Sequence, residues 1–399
     1  MATKPYTAEQ LQEAVFALSR CGTIELAARA LSMPRGTLSS RLQAAKKAGL
    51  TIPATSGTDY VKRLEADLKA AQRESADTKA IKEVIGETAR KAATAKPPEW
   101  IADSRAKPSS PGVPTLFLSD FHWGERVHAS QINGVNRYNV SIARQRLKDT
   151  IDAAIVLLRI VSSKLDYPGI VVPLGGDMVS GNIHEELATT NEINTMPTVL
   201  DLWEHLASAI SHLADTFGSV FLPCVTGNHG RDTRKIWNKD RHHTSFDWLL
   251  YQILAKHFDR DKRITFLIPD GSDAQYRIYS TRYNLTHGDQ FRGGDGMIGP
   301  LGPITRGDHK KRSRNSQINL DYDILIMGHW HQYMQLSKLI VNGTIKGYDE
   351  YAYTNNFPFE RPQQALWITH PVHGPTFRMP VYCERTDKMP KRAWVSVAK

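Results

Sequence analysis

Four short apolar runs constrain the fold of this chain more than any other feature of its sequence. They are TLFLSD, GIVVPLGGD, SVFLPCVTGNH and DILIMGHWH, and helix-like stretches such as residues 141–163 lie between them. Continuous apolar runs of this length are typical of strands buried on both faces of a sheet. The alternation of such strands with helices predicts an α/β fold from Pro114 onward.

Two strand pairs are predicted near the C-terminus. In KLIVNGTIKGY, Asn342-Gly343 lies between two apolar segments, and this dipeptide favours a tight hairpin turn. The later segment ALWITHPVHGPTFRMPVY is also predicted to form two adjacent strands. We therefore expect an α+β character in this region of the fold.

Polar side chains follow each of the apolar runs, and a further motif, THGD, adds another histidine. Ligands of open α/β sheets gather at the carboxyl ends of the strands, so we expect these side chains in one crevice. The candidate metal ligands are Asp120, His122, Asp177, Asn228, His287, His329 and His331. Oxygen and nitrogen donors without a thiolate suit Mn²⁺, Fe or Zn²⁺, and seven donors suit two ions that share a carboxylate better than one tetrahedral ion. Each motif alone also fits an ordinary turn, but their combination favours a metal site.

The order D-x-H, G-D, G-N-H, H, G-H-x-H resembles that of the calcineurin-like metallophosphoesterase superfamily. The resemblance covers about residues 114–385 and implies two β-sheets packed face to face with helices outside. It also implies that Asp120, His122, Asp177 and His331 hold one metal ion. It implies that Asp177, Asn228, His287 and His329 hold the other, with Asp177 bridging. His229 matches the catalytic histidine of the family, and a bridging hydroxide is implied to attack phosphorus.

The sequence departs from the family pattern at two positions. Ser180 and Gly230 stand where the family motifs have carboxylates. Neither position is a direct metal ligand in the pattern, so we expect metal binding to be kept. The orientation of His229 then needs another partner, for which Asp232, Glu185 and Glu186 are the candidates.

The first 50 residues are predicted to form a small unit of three helices. Residues 7–10 (TAEQ) fit a capping box that starts the first helix, and Gly22 ends it. Thr23 is a candidate cap for the second helix. The segment 34–36 (PRG) turns the chain, and Thr37 is predicted to open the third helix.

This unit resembles a helix-turn-helix domain through the segment TIELAARALSMPRGTLSSRL. Side chains of the types that contact phosphates and base edges lie along or before its third helix. They are Arg35, Thr37, Ser39, Ser40, Arg41, Gln43, Lys46 and Lys47. A small helical docking domain is the alternative interpretation.

Residues 58–95, rich in Ala, Lys, Glu and Arg, are predicted to form a helical linker. An apolar seam begins at Val61 but extends for two heptads at most, so pairing into a homodimer and a solvated single helix both stay open. A proline-rich boundary follows around residues 96–114. The predicted domains are thus 1–50, 51–113 and 114–399. A helix-turn-helix unit joined by a linker to a metallophosphoesterase also resembles proteins encoded by bacteriophages.

Charge and cysteine content restrict the class of protein. The formal net charge is +10, which favours polyanionic partners such as nucleic acid. The 3 cysteines are scattered without C-x-x-C spacing, which indicates a reducing compartment. Because no apolar run is long enough for a membrane span and the N-terminus lacks an apolar signal core, we predict a cytoplasmic protein of a bacterium or a phage-infected host.

Basic and aromatic residues near the metal motifs bear on the substrate. Arg231 and Arg234 follow His229 and are predicted to bind phosphate, with surface salt bridges as the alternative. The runs RDTRKIWNKDRHH and RGDHKKRSR are predicted to follow a nucleic-acid backbone, or else to be solvated loops. Trp123 is predicted either to stack on a base or to pack in the core.

Together these features predict a two-metal-dependent phosphodiesterase, a nuclease acting on DNA and targeted to it by the N-terminal unit. We expect Mn²⁺, with Fe, Zn²⁺ or Mg²⁺ as alternatives. One competing hypothesis is a phosphoesterase for a nucleotide or phosphoprotein, in which the N-terminal unit serves docking. Another is a DNA-binding regulator whose phosphoesterase domain is not catalytic.

Overall fold

The computed structural model describes residues 6–50, 111–293 and 299–385. The chain divides into two compact units, Met1–Val84 and Ile85–Lys399. The predicted linker and most of the proline-rich boundary lie outside the described residues. The apolar seam that begins at Val61 lies outside them as well, so its pairing into a homodimer stays a prediction.

The first unit contains the three predicted helices, α1 (Ala8–Cys21), α2 (Ile24–Ala30) and α3 (Arg35–Lys47). The capping box is confirmed, because the side chains and backbone N–H groups of Thr7 and Gln10 are bonded reciprocally. Gly22 ends α1 in the left-handed conformation, and the hydroxyl of Thr23 caps α2. Helix α3 begins two residues earlier than predicted, because Pro34 adopts φ −61° and the chain turns helical directly after it.

The second unit contains two β-sheets. The first has the strand order β11-β10-β1-β2-β3-β4, in which β1 to β4 are parallel. Its strands are β1 (Val113–Phe117), β2 (Ile170–Val171), β3 (Val220–Pro223), β4 (Ile264–Leu267), β10 (Gln363–His370) and β11 (Gly374–Tyr382). The antiparallel pair of β10 and β11 confirms the second predicted strand pair.

The second sheet has the strand order β5-β6-β7-β9-β8, with β6, β7 and β9 parallel. Its strands are β5 (Asp273–Ile278), β6 (Thr281–Thr286), β7 (Ile324–Met327), β8 (Met334–Gln335) and β9 (Leu339–Val341). The four apolar runs thus became β1, β2, β3 and β7. All four are wholly buried, as the continuous hydrophobic pattern predicted.

Helices connect these strands. They are α4 (Val140–Val161), α5 (Glu185–Thr190), α6 (Thr195–Phe217), α7 (Phe246–His257), α8 (Leu301–Gln317) and α9 (Glu350–Thr354). Short 3₁₀ turns occur at Ala129–Ile132 and His242–Thr244. Helix α4 matches the predicted stretch 141–163 to within two residues at each end. No helix of the described ranges has both the length and the apolar character that a bilayer crossing requires.

The two sheets pack face to face. Phe117, Phe221 and Trp367 of the first sheet share one buried cluster with Tyr283 and Ile326 of the second. The outer face of the first sheet packs against α4, α6 and α7, and that of the second packs against α8. This α/β architecture of two sheets flanked by helices confirms the predicted fold class. The carboxyl ends of β1, β2, β3, β6 and β7 are all followed by polar motifs.

The hairpin predicted at Asn342-Gly343 is wrong. Strand β9 ends at Val341 and pairs with β7 and β8, and no strand follows directly. The turn preference is overridden because the Asn342 side chain is wholly buried and donates to the Phe117 carbonyl, Ser119 Oγ and Gln364 Oε1. Residues after Gly343 instead run along the cleft described next.

Candidate metal centre

The predicted ligands from five separate loops converge beyond the strand ends. One group that could hold an ion consists of Asp120, His122 and His331, with the ligand atoms within 4.8 Å of one another. His122 Nε2 lies 3.0 Å from His331 Nε2, and His331 Nε2 lies 3.4 Å from Asp120 Oδ1. The first predicted metal position therefore has its donors facing a common point.

A second group consists of Asp177, His287 and His329, within the same 4.8 Å limit. His287 Nε2 lies 3.0 Å from Asp177 Oδ2 and 3.2 Å from Asn228 Oδ1. Asp177 also belongs to a group with His122 and His229. It therefore lies between the two metal positions, where a bridging carboxylate is required.

The donor set fits a pair of divalent cations. Two imidazole nitrogens 3.0 Å apart, as in His122 and His331, satisfy each other only if one of them carries a proton, whereas a cation accepts both lone pairs. The carboxylates of Asp120 and Asp177 supply negative charge, and both are at most 1% exposed. Buried charges are costly unless they are paired, so this arrangement favours bound cations.

The backbone of this centre is held in an uncommon conformation. Positive φ angles occur at five of the seven predicted ligands: Asp120 (55°), His122 (47°), Asp177 (50°), His329 (68°) and His331 (52°). Non-glycine residues adopt this region rarely and at a cost in free energy, and they cluster at functional sites. The geometry thus independently marks the residues that the motifs selected.

Two glycines leave room for the ligand carboxylates. A Cβ atom at Gly227 would lie 2.1 Å from Asp177 Oδ1, and one at Gly328 would lie 2.1 Å from Asp120 Oδ2. Neither position can therefore carry a side chain without displacing a ligand. This accounts for the glycines that precede Asn228 and His329 in their motifs.

His229 faces the same cleft. Its backbone N–H donates to Asp177 Oδ1 (2.7 Å), and its ring Nδ1 lies 3.1 Å from the backbone carbonyl of Ser180. A carbonyl only accepts, so Nδ1 carries a proton and Nε2 is directed elsewhere. The carboxylate partners predicted for this ring, Asp232, Glu185 and Glu186, are therefore replaced by a backbone carbonyl.

The pKa values of the histidines in this centre reflect burial and mutual charge. Burial lowers the pKa of His229 to about 4, and burial together with His287 lowers that of His329 to about 4. Burial also acts to lower the pKa of His287, but Asp177 outweighs it and raises the pKa to about 10. A cation at this position competes with the proton on His287, because metal ligands must be deprotonated.

Asp247, at the start of α7, supports the ligand loops from behind. Its carboxylate accepts the backbone N–H groups of Asp177 (3.0 Å), Met178 (3.2 Å) and Gly227 (2.9 Å). A Cβ at Gly230 would lie 2.9 Å from Asp247 Oδ1. The absence of a side chain at position 230 therefore leaves space for this buried carboxylate. Sequence reasoning missed Asp247, because one aspartate at a helix start looks like an ordinary cap.

Removing this carboxylate is expected to destabilise the protein. Asp247→Ala leaves three buried N–H groups without an acceptor, which should lower the free energy of unfolding by about 3 kcal/mol or more. Urea denaturation of the purified protein measures the change, with Asp259→Ala, an exposed aspartate just beyond the same helix, as the control. Equal stability of the two variants would contradict the supporting role of Asp247.

A second buried network supports His122. Its Nδ1 lies 3.4 Å from Glu125 Oε2, and Glu125 Oε1 accepts from Lys346 Nζ (2.9 Å). Lys346 is also paired with Asp349 (2.5 Å). Burial acts to lower the pKa of Lys346, but Asp349 and Glu125 outweigh it and raise the pKa. Glu125 thus places a paired carboxylate beside His122, although the Nδ1 atom of His122 has no hydrogen-bond partner. Lys346 was not predicted, because it lies in the segment KLIVNGTIKGY that was interpreted as a hairpin.

The structure also shows where Trp123, Arg231 and Arg234 lie. Trp123 is wholly buried and donates to Asp201 (2.6 Å), so it packs in the core and does not stack on a base. Arg231 donates to the carbonyls of Asn228 (2.6 Å) and Thr233 (3.0 Å) and thereby fixes the loop of a ligand. Arg234 is exposed. Phosphate binding by both arginines stays a prediction.

In the N-terminal unit, the predicted DNA-contacting residues are not all free. Arg41 is only 15% exposed at its side chain and pairs with Glu13 of α1 (3.4 Å), so it supports helix packing. Arg35 is exposed but pairs with Glu25 (2.8 Å). The exposed positions of α3 include Ser40, Lys46 and Lys47.

Comparisons with known proteins give distant structural likenesses. No family model matches the sequence, and no curated protein matches it significantly. A predicted phosphoesterase from Streptococcus pneumoniae TIGR4 is 12% identical, with 69% of this chain and 99% of that chain covered and a TM-score of 0.27. Vacuolar Protein Sorting 29 from Cryptosporidium parvum is 14% identical, with 65% and 87% covered and a TM-score of 0.28.

A putative 5'-nucleotidase from Staphylococcus aureus is 11% identical, with 70% of this chain and 56% of that chain covered and a TM-score of 0.30. Likenesses this distant carry no functional argument. We therefore base the proposed function on the geometry of the metal centre.

Proposed function

We propose that this chain is a two-metal-dependent phosphodiesterase, a nuclease that hydrolyses DNA and is targeted to it by the N-terminal helices. The observation that supports this most strongly is the convergence of the seven candidate metal ligands, with Asp177 between the two metal positions. Their motif order also resembles that of calcineurin-like metallophosphoesterases. The ligand types favour Mn²⁺, with Fe, Zn²⁺ and Mg²⁺ as alternatives.

The chemistry follows from the positions of the chain's own side chains. Two divalent ions in this centre would stabilise the charge on the phosphoryl oxygens and lower the pKa of an attacking water. His229 holds its Nδ1 proton toward Ser180, which leaves Nε2 to stabilise the transition state or to hold a proton for the leaving oxygen. Glu125, which is paired with Lys346, places a carboxylate 3.4 Å from Nδ1 of His122.

A cavity of about 600 Å³ lies over the centre and supports a substrate that carries bases. Its lining includes His122, Asp177 and His229 of the centre together with the aromatic side chains of Tyr351 and Phe357. Both aromatic residues are exposed, so their rings are accessible. Stacking of a base on an aromatic ring contributes about 1–3 kcal/mol and tolerates any sequence.

The basic segment 306–314 lies on α8. A second cavity, of about 400 Å³, is lined by cations that include Arg292, Lys310 and Arg314, together with Gln290 and Phe291. Gln290 and Phe291 closely follow the ligand His287, so this basic surface adjoins the metal loop. Phosphate groups bind such clusters of guanidinium and ammonium groups, which supports a polyanionic substrate.

Cleavage of DNA in the presence of Mn²⁺ tests the proposal. We expect the purified full-length protein to cleave single-stranded or double-stranded DNA when Mn²⁺ is added, and not after treatment with a chelator. Gel electrophoresis of end-labelled DNA measures the products. The variant Lys46→Glu/Lys47→Glu, outside the catalytic unit, should weaken DNA binding while leaving hydrolysis of a small phosphodiester unchanged.

The cavity over the centre also favours one competing function. A volume of about 600 Å³ with an aromatic wall suits a single nucleotide as well as the end of a polymer. Hydrolysis of nucleotides without cleavage of DNA would therefore support a nucleotide phosphoesterase. Binding of DNA by a protein that binds no metal would instead support a non-catalytic regulator.

A further inference from the structure

A separate cluster of metal-ligating side chains lies on the 3₁₀ turn before α7. It consists of His242, His243 and Asp270, whose ligand atoms lie within 4.8 Å of one another. Asp270 belongs to the loop between β4 and β5, so the cluster joins two segments that are distant in sequence. None of the three residues belongs to the centre around Asp177.

His242 carries an unsatisfied polar atom in this cluster. The residue is only 8% exposed, and its Nε2 has no hydrogen-bond partner. Buried polar atoms without a partner are uncommon and call for a specific explanation. The nearest carboxylate oxygen, Asp270 Oδ1, lies 3.6 Å from this nitrogen, which is beyond hydrogen-bond range.

The spacing of the donors suits a cation. Asp270 Oδ1 lies 3.6 Å from His242 Nε2 and 4.0 Å from His243 Nε2. A tetrahedral ion with bonds of about 2.0–2.1 Å places its ligand atoms about 3.3–3.4 Å apart. A small inward movement of the half-exposed carboxylate of Asp270 would bring both of these distances into that range.

We propose that His242, His243 and Asp270 form a third metal site, which binds one Zn²⁺-type cation with water as the fourth ligand. Two imidazoles and a carboxylate are a donor set typical of zinc. The ring of His243 packs edge-on against Trp248 of α7, which restricts its orientation. The two histidines are the last residues of the basic run RDTRKIWNKDRHH. The proposed site gives them a role that differs from that of the cations before them.

The site is placed to fasten the start of α7. The same segment contains Arg241, which pairs with Asp289 (2.8 Å), and Asp247, which holds the loops of Asp177 and Gly227. An ion that joins the turn to the loop between β4 and β5 restricts movement of this segment. We therefore expect the ion to stabilise this segment.

Zinc content tests the proposal. The metal-free full-length protein is dialysed against Zn²⁺, and bound zinc is measured by atomic emission. We expect Asp270→Ala to bind one equivalent less than the unaltered protein, whereas Asp259→Ala, another exposed aspartate, should bind the same amount. Equal zinc contents in Asp270→Ala and the unaltered protein would overturn the site.

A second pair of variants separates this site from the two-metal centre. Asp177→Ala should keep one equivalent of zinc, and Asp177→Ala/Asp270→Ala should lose it. The rise in Tm that zinc produces in Asp177→Ala should likewise disappear in the double variant, because only binding to the folded state stabilises it. Retention of zinc in the double variant contradicts the third site. A full zinc content in Asp177→Ala contradicts the two-metal centre instead.

Discussion

Replacing Asp177 with alanine is expected to remove metal from the centre and to abolish phosphodiester hydrolysis. Asp177 belongs to both groups of candidate ligands that surround it, so its loss affects both metal positions. The positive charge of the ions stabilises the transition state by several kcal/mol, and each 1.36 kcal/mol changes the rate tenfold. We therefore expect turnover to fall by about 10³-fold or more.

Manganese content and hydrolysis of a small phosphodiester measure this effect together. Asp259→Ala, an exposed aspartate remote in sequence from every ligand, is the matched control and should behave as the unaltered protein. Circular dichroism shows whether the variant is folded. A folded Asp177→Ala protein with full metal content and full turnover would falsify the bridging role.

Replacing His229 with alanine is expected to abolish most turnover while both metal ions stay bound. The backbone N–H of His229, which donates to Asp177, is kept in the alanine variant, so the loop of Asp177 retains this contact. A positioned acid or base contributes about 10²–10⁴-fold to the rate. We expect a loss in that range for DNA and for small diesters.

The control for this prediction is His212→Ala, which changes an exposed histidine of α6. Metal content decides between two roles, because the ring of His229 also lies within ligand distance of His122 and Asp177. Loss of metal in His229→Ala would make it a ligand. Full activity with full metal content would exclude it from catalysis.

Six of the seven ligand positions could be predicted from the sequence because they follow a continuous apolar run, whereas His287 follows the polar strand TRYNLT. Such runs identify buried strands, and polar residues at their carboxyl ends are unusual enough to mark a site. The ligand set was assigned by resemblance to a motif order, and the structure brings those seven side chains together. The fold class was predictable for the same reason, since the runs became β1, β2, β3 and β7.

The supporting residues could not be predicted in this way. Asp247 contacts the loop of Asp177, and Lys346 contacts Glu125; both partners are more than 60 residues away in sequence, and neither Asp247 nor Lys346 lies in a recognisable motif. Asn342-Gly343 has a strong local preference for a turn, but burial of its amide among three acceptors overrides that preference. Two interpretations were open for Trp123, because a position next to a ligand is compatible both with stacking on a base and with packing in the core. In the structure its side chain is buried in the core.

The left-handed backbone at five ligands has a consequence for how such a protein acquires its ions. Each strained residue costs about 1–3 kcal/mol, so five of them together rival the net stability of an ordinary domain. If the packing of the two sheets and their flanking helices offsets this cost, the loops have their shape without the ions. The ligand side chains would then already be in position when the ions bind, and would not be brought together by the ions. Glycine at any of these five positions would relieve the backbone strain but would remove a metal-ligand side chain. Stability and metal binding therefore favour different residues at the same five positions.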